Sequence, residues 1–120
     1  MMSELDTIEV IRKLENNDIS KAKDIMSALK GPGSSYEKGY IHALRGLISS
    51  CENKEQDSVF MKLLKNELSP ASIEDERESC AHMLSQNFRP GKEIGYEHAW
   101  EFILAYFSGN MKTGLDKYQS

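Results

Sequence analysis

Two histidines recur in this chain within nearly the same five letters. The pentapeptide GYIHA begins at Gly39 and GYEHA begins at Gly95, so that His42 and His98 stand 56 positions apart. A histidine changes charge near neutral pH and binds metals through its ring nitrogens, and a nearby tyrosine can donate or accept a hydrogen bond. The chemistry that these residues could perform is therefore acid-base catalysis, metal binding or ligand binding.

The rest of the sequence gives little support to metal or nucleophilic catalysis. A zinc site needs three or four ligands, and the third histidine, His82, has no cysteine at ligand spacing. Cys51 and Cys80 form no CxxC pair, which favours two buried and inert thiols. The Glu-x-x-His pairs of di-iron bundles, the GxxxxGK[ST] phosphate loop and a nucleophile elbow are all missing from the sequence. We expect no metal and no cofactor, and we favour a protein that is not an enzyme.

Composition and charge disfavour two classes of partner. The formal charge is -4, the isoelectric point is near 5.4, and the basic residues form no stripe of the kind that binds a phosphate backbone. No run approaches the roughly 18 apolar residues that cross a bilayer, and MMSELDTIEVIRKLE lacks the apolar centre of a signal peptide. We expect a cytoplasmic protein that binds neither nucleic acid nor membrane.

Hydrophobic periodicity predicts an all-α fold for a single domain over residues 1–120. Nearly every segment repeats its apolar residues at helical spacing, and none alternates as a half-buried strand does. The tail at 109–120 is polar and only weakly periodic. Polar residues are predicted to cap three helices: Asp18 or Ser20 the second, Ser34 the third and Ser69 the fifth. Six helices are predicted, from after Ser3 to Asn16, from Asp18 or Ser20 to Lys30, from Ser35 to Cys51, from Lys54 to Leu68, from Ser69 to Phe88 and from Lys92 to Phe107.

The order of the predicted elements is the same in both halves of the chain. Two helices, a proline-glycine turn and a helix that carries Gly-Tyr-x-His-Ala occur at residues 3–52 and again at 54–108. The sequence therefore predicts two three-helix units that arose by duplication, with a chance match as the alternative. The whole would form a helical bundle or a repeat-like stack.

Small residues on the third helix predict a close approach by another helix. Gly39, Ala43 and Gly46 share one face of this helix. On the corresponding face of the sixth helix, Phe102 and Tyr106 stand where the third helix carries Gly46 and Ser50. These faces can fit together, within one chain or between two chains. The alternative is that each packs separately against its own helical hairpin.

The segments KGYIHALRGL and GYEHAWEFILAYF resemble small helical proteins of archaea, in which a Gly-Tyr-x-x-Ala-Leu helix precedes an aromatic C-terminal helix. That resemblance covers about a third of the chain and implies no known activity. The short paired helices resemble tetratricopeptide repeats in architecture alone, because the repeat is longer than about 34 residues.

Our first hypothesis is a non-enzymatic α-helical interaction or assembly module, with a protein partner or self-association into a homodimer. The alternative is a small-ligand-binding or catalytic bundle with a pocket near His42 and His98, lined also by Tyr40 or Tyr96. The residues predicted to bind the partner are Gly39, Tyr40, Ala43, Gly46, Tyr96, Trp100, Phe102 and Tyr106.

Overall fold

A computed structural model describes residues 4–28, 33–86 and 90–108, and within these residues it contains six helices and no strand. The predicted all-α fold is confirmed. None of the helices in the described ranges is long and apolar enough to span a membrane. The helices are α1 (Glu4–Glu15), α2 (Ile19–Ala28), α3 (Ser35–Glu52), α4 (Val59–Leu64), α5 (Pro70–Ser85) and α6 (Gly91–Phe107).

Short polar side chains fix where four of the helices begin. Ser34, Ser58 and Ser69 each accept a hydrogen bond at 3.1 Å from the backbone N–H three residues later. Asp18 does the same for Lys21 at 3.2 Å, so Asp18 rather than Ser20 caps α2. Each cap satisfies a backbone donor that has no partner inside its helix. The caps predicted at Ser34 and Ser69 are confirmed.

The fourth helix is much shorter than the segment Lys54–Leu68 that the sequence predicts. Lys54 and Asn66 have φ angles of 51° and 59°, in the left-handed region that ends or interrupts a helix. Ser58 starts the helix only after a turn over residues 53–57. The predicted start at Ser3 and the predicted ends at Lys30 and Phe88 lie outside the described residues.

The helices α3 and α6 form the centre of the fold and make the most extensive contact between any two elements. The α1–α2 hairpin and α4 pack on α3, and α5 packs on α6. The predicted duplication stays a prediction. In the first half of the chain α1 and α2 pair closely, whereas α4 of the second half packs on α3 of the first. The most deeply buried apolar side chains belong to one cluster, which includes Val10, Ile11, Leu44, Leu47, Phe60, Ile103 and Leu104.

Candidate functional site

The two pentapeptides meet where α3 and α6 cross. A Cβ atom added at Gly39 would lie 2.7 Å from the carbonyl carbon of Lys92, and one added at Gly95 would lie 2.8 Å from the carbonyl carbon of Tyr36. Each glycine therefore faces the backbone three residues before the other glycine, and a side chain at either position would force the helices apart. The two helices therefore meet within one chain through their glycines, and not through the predicted fit of Phe102 and Tyr106 into the space at Gly46.

This crossing occupies part of the surface predicted for a partner. Ala43, like Gly39, is buried, and Gly39 packs directly on α6 of the same chain. Gly46 is exposed, and no atom lies within 4 Å of a Cβ built there, so it takes no part in the close approach. Phe102 is half-buried and lines a cleft instead, while Tyr106 is buried and bonds to α1. Neither aromatic residue fills the space above Gly46.

Beside the crossing lies a cleft of about 390 Å³ between α1, α3 and α6, which we call the acidic cleft. Three of its lining residues carry carboxylates and three carry phenyl or phenol rings. No lysine or arginine is among the described residues that line it. The lining consists of Glu4, Tyr36, Glu37, Tyr40, His98, Glu101, Phe102 and Ala105.

Hydrogen bonds hold two of the rings in the acidic cleft. The hydroxyl of Tyr36 lies 2.7 Å from Nδ1 of His98, and the two rings meet edge to face with centroids 5.4 Å apart. The hydroxyl of Tyr40 lies 3.0 Å from Oγ1 of the buried Thr7 on α1. The rings of Tyr36 and Tyr40 are 6.3 Å apart. The aromatic wall is therefore fixed by both of the neighbouring helices.

The surroundings of these tyrosines keep their hydroxyl groups protonated. Burial raises the pKa of Tyr36, and the negative charge of Glu4 raises it further. Burial likewise raises the pKa of Tyr40, with smaller contributions from Tyr36 and Glu4, although the bond to Thr7 lowers it. A protonated Tyr36 hydroxyl can donate to Nδ1 of His98 or accept a hydrogen bond from it, according to the tautomer of the histidine. The pair is arranged to orient a ring rather than to supply a phenolate base.

The carboxylates of the acidic cleft have no cation to neutralise them in the described part of the chain. Glu4, Glu37 and Glu101 form no ion pair with another described residue. Glu37 and Glu101 are half-buried, which places them in the cleft wall rather than fully in solvent. The arrangement therefore presents negative charge beside aromatic faces.

His42 lies in a different cleft from His98. Its ring contacts that of Tyr96, with centroids 5.8 Å apart. It also lines a second hollow of about 250 Å³, which we call the basic cleft. His42 and His98, the pair that the pentapeptides suggest, thus line different clefts. The basic cleft is lined by Lys38, Ile41, His42, Arg45 and Lys92.

Trp100 and Tyr96 line a third cleft, which reaches Cys80 on α5. Burial raises the pKa of the Cys80 thiol to about 12, and the charge of Glu97 adds to the effect. Burial also raises the pKa of Cys51. Both thiols therefore stay protonated at neutral pH. Cys80 is buried as expected, whereas Cys51 is only half-buried. The described residues contain no group of three or more histidine, cysteine or acidic residues that could hold a metal ion.

The sequence predicts a pocket near His98 with Tyr40 in its lining, and the acidic cleft contains both residues, but the sequence does not predict its carboxylates. The sequence does carry one signal, because Tyr36, Tyr40 and Glu37 all belong to the first two turns of α3. The remaining carboxylates come from α1 and α6, and only the packing of those helices on α3 brings them to the same place.

We expect Tyr106→Phe to lower the free energy of unfolding by about 1 kcal/mol at pH 7, because it removes a hydrogen bond to a charged group that is partly exposed to solvent. The hydroxyl of Tyr106 donates to Oε1 of Glu15 at 2.7 Å. Burial raises the pKa of Tyr106, and the bond to Glu15 and its charge raise it further, against a smaller opposite effect of Arg12. Urea unfolding of both proteins gives the difference.

The same hydrogen bond predicts a pH dependence. The unfolded tyrosine loses its proton near its ordinary pKa of 10.0, whereas the folded one keeps its proton to higher pH. The unfolded state therefore binds fewer protons in this window, and stability falls as pH rises above about 10. Tyr106→Phe should fall less steeply there, so that the two stability curves converge. Parallel curves would show that Tyr106 is not the group responsible.

Comparison with known proteins gives no family for this chain. No protein-family model matches it, and searches of the curated proteins and of the solved structures find no match either.

Proposed function

We propose that this chain is a non-enzymatic α-helical interaction module that receives a cationic side chain of a protein partner in the acidic cleft. The observation that carries the proposal is the composition of one cleft wall, in which Tyr36, Tyr40 and Phe102 lie beside three carboxylates. An ammonium or guanidinium group is attracted both by aromatic faces and by carboxylates. A lysine or arginine of a partner satisfies both kinds of group at once.

Two features suit this cleft to recognition rather than catalysis. The bonds from Tyr36 to His98 and from Tyr40 to Thr7 hold the rings before any ligand arrives, which lowers the entropy lost on binding. The raised pKa values of Tyr36 and Tyr40 keep both hydroxyl groups protonated. Neither tyrosine therefore forms the phenolate that would act as a base.

The close contact of α3 with α6 at Gly39 fixes the position of the walls of the acidic cleft. Because α3 and α6 touch through their backbones, the residues one turn away on each helix are held at fixed separation. Gly39 and Ala43 thus enter the proposal as supports of the cleft rather than as contacts to the partner. If the lysine or arginine that enters the cleft belongs to a second copy of the chain, the interaction is self-association.

The experiment is an NMR titration of the whole chain with blocked lysine, blocked arginine and tetramethylammonium at constant ionic strength. We expect the ring resonances of Tyr36, Tyr40 and His98 to shift with each cation. The variant Glu37→Gln/Glu101→Gln should bind at least tenfold more weakly, because it removes two of the three carboxylates. A matched control is Asp75→Asn/Glu78→Gln, which removes the same charge from exposed positions on α5.

A second measurement tests for the protein partner. The tagged chain and both charge variants would capture proteins from a native extract, with quantification by mass spectrometry. A protein that is recovered with the parent and the control, and lost with Glu37→Gln/Glu101→Gln, would support the proposal. Ring resonances that do not move with any cation would overturn it.

The volume of the acidic cleft also favours a small organic amine as the ligand in place of a side chain. At about 390 Å³ it falls within the range of roughly 300–1,000 Å³ that small-molecule sites occupy. Tight binding of tetramethylammonium, together with weak binding of blocked lysine and arginine and no captured protein, would identify this alternative.

A further inference from the structure

The basic cleft gathers positive charge from two helices. Lys38, His42 and Arg45 are spaced three or four residues apart on α3, and Lys92 reaches the same hollow from the first turn of α6. The buried Ile41 completes the lining, and no carboxylate is among the described residues that form it. Such a hollow concentrates positive potential in a chain whose overall charge is -4.

The basic and acidic clefts occupy equivalent places about the helix crossing. Gly39 and Gly95 make reciprocal contacts, so α3 and α6 are related about the crossing by an approximate two-fold axis. Each residue of α3 is then equivalent to the residue of α6 that lies 56 positions later. The axis relates His42 to His98 and Arg45 to Glu101. One arrangement of two helices thus supports two clefts, with an arginine in one where the other has a glutamate.

The cations of the basic cleft remain available to a ligand. Lys38, Arg45 and Lys92 are exposed and form no ion pair with another described residue. His42 is also exposed and makes a ring contact with Tyr96 on one side. Carboxylates line the neighbouring hollows instead: Glu93 and Glu97 share one with His42 and Lys92, and Glu52 shares another with Arg45.

We infer that the basic cleft binds a small molecule that carries a phosphate group or a comparable multivalent anion. Arg45 supplies the planar fork of donors that pairs with two oxygens of such an anion, and Lys38 and Lys92 supply point charges around it. An N–H of His42 can donate a further hydrogen bond. The hollow holds about 250 Å³, and the acidic surface elsewhere repels a long polyanion, so the ligand is compact rather than a nucleic acid.

The test is an NMR titration of the whole chain with inorganic phosphate and with pyrophosphate, against sodium chloride of equal ionic strength. We expect shifts confined to the Arg45 side-chain Nε–H and the His42 ring, with pyrophosphate binding more tightly than phosphate. Arg45→Gln/Lys92→Gln should weaken pyrophosphate binding at least tenfold, and thermal unfolding of this variant should match the parent because both side chains are exposed.

Two controls separate this inference from general charge attraction and from the proposed function. Lys21→Gln removes an exposed cation on α2 and should leave pyrophosphate binding unchanged. Glu37→Gln/Glu101→Gln alters the acidic cleft alone and should do the same. The inference is overturned if chloride reproduces the shifts, if the shifts spread over all lysines, or if Arg45→Gln/Lys92→Gln binds pyrophosphate as the parent does.

Discussion

Gly95→Ala is expected to lower the free energy of unfolding by about 2 kcal/mol, and Gly39→Ala by a similar amount. Overpacking a core costs about 1–3 kcal/mol, and the upper end applies here because the new methyl group would meet backbone atoms of the facing helix, which cannot rotate away. Alanine has the higher helix propensity by about 1 kcal/mol, which offsets part of this cost. Urea denaturation, followed by circular dichroism, measures the difference.

Gly46→Ala is the matched control for these two variants. Gly46 lies in the same helix as Gly39, but a Cβ added there meets nothing within 4 Å. Only the gain in helix propensity remains, so we expect Gly46→Ala to raise the free energy of unfolding by up to about 1 kcal/mol. If Gly39→Ala and Gly95→Ala were as stable as Gly46→Ala, the close backbone contact between α3 and α6 would be refuted.

The glycine substitutions should also affect cation binding in the acidic cleft. Forcing α3 and α6 apart at Gly95 moves Tyr36 away from His98, since Gly95 packs directly on the carbonyl of Tyr36. We therefore expect Gly95→Ala to weaken cation binding even under conditions in which it remains folded. Gly46→Ala should bind cations as the parent does.

Phe60→Ala is expected to lower the free energy of unfolding by about 3 kcal/mol, in the range typical of removing a buried aromatic side chain. Phe60 is 1% exposed, and its ring meets that of Phe107 edge to face with centroids 6.1 Å apart. The helix α4 spans only six residues and is too short to be stable alone. Phe60 and Leu63 are its buried residues, so its position depends on them.

Val59→Ala provides the comparison for Phe60→Ala, because Val59 belongs to the same helix but is only half-buried. We expect its effect to be less than half as large. Native-state hydrogen exchange adds a local measurement, since Phe60→Ala should increase the exchange of amides in α4 more than that of amides in α2. Equal effects of the two substitutions would show that Phe60 does not anchor α4.

Local signals in the sequence determined where helices form. Apolar residues at helical spacing, with Ser34, Asp18 and Ser69 as caps, predict five of the six helices within a few residues of their positions among the described ranges. These signals suffice because capping and periodicity involve residues that are neighbours along the chain. The sequence also predicted that Gly39 admits another helix, since little else explains a glycine in the middle of a helical pattern.

The limits of α4 and the composition of the clefts depend on how the helices pack. The limits of α4 depend on the left-handed residues Lys54 and Asn66 and on the burial of Phe60, and periodicity does not report any of these. The sequence did not choose between contact within one chain and contact between two chains, because the same small residues serve both. The separation of His42 from His98 and the meeting of Glu4 with Glu101 arise only when α1 and α6 pack on α3. Residues distant in sequence share a cleft through packing, and a pattern along one helix holds no information about the face that another helix covers.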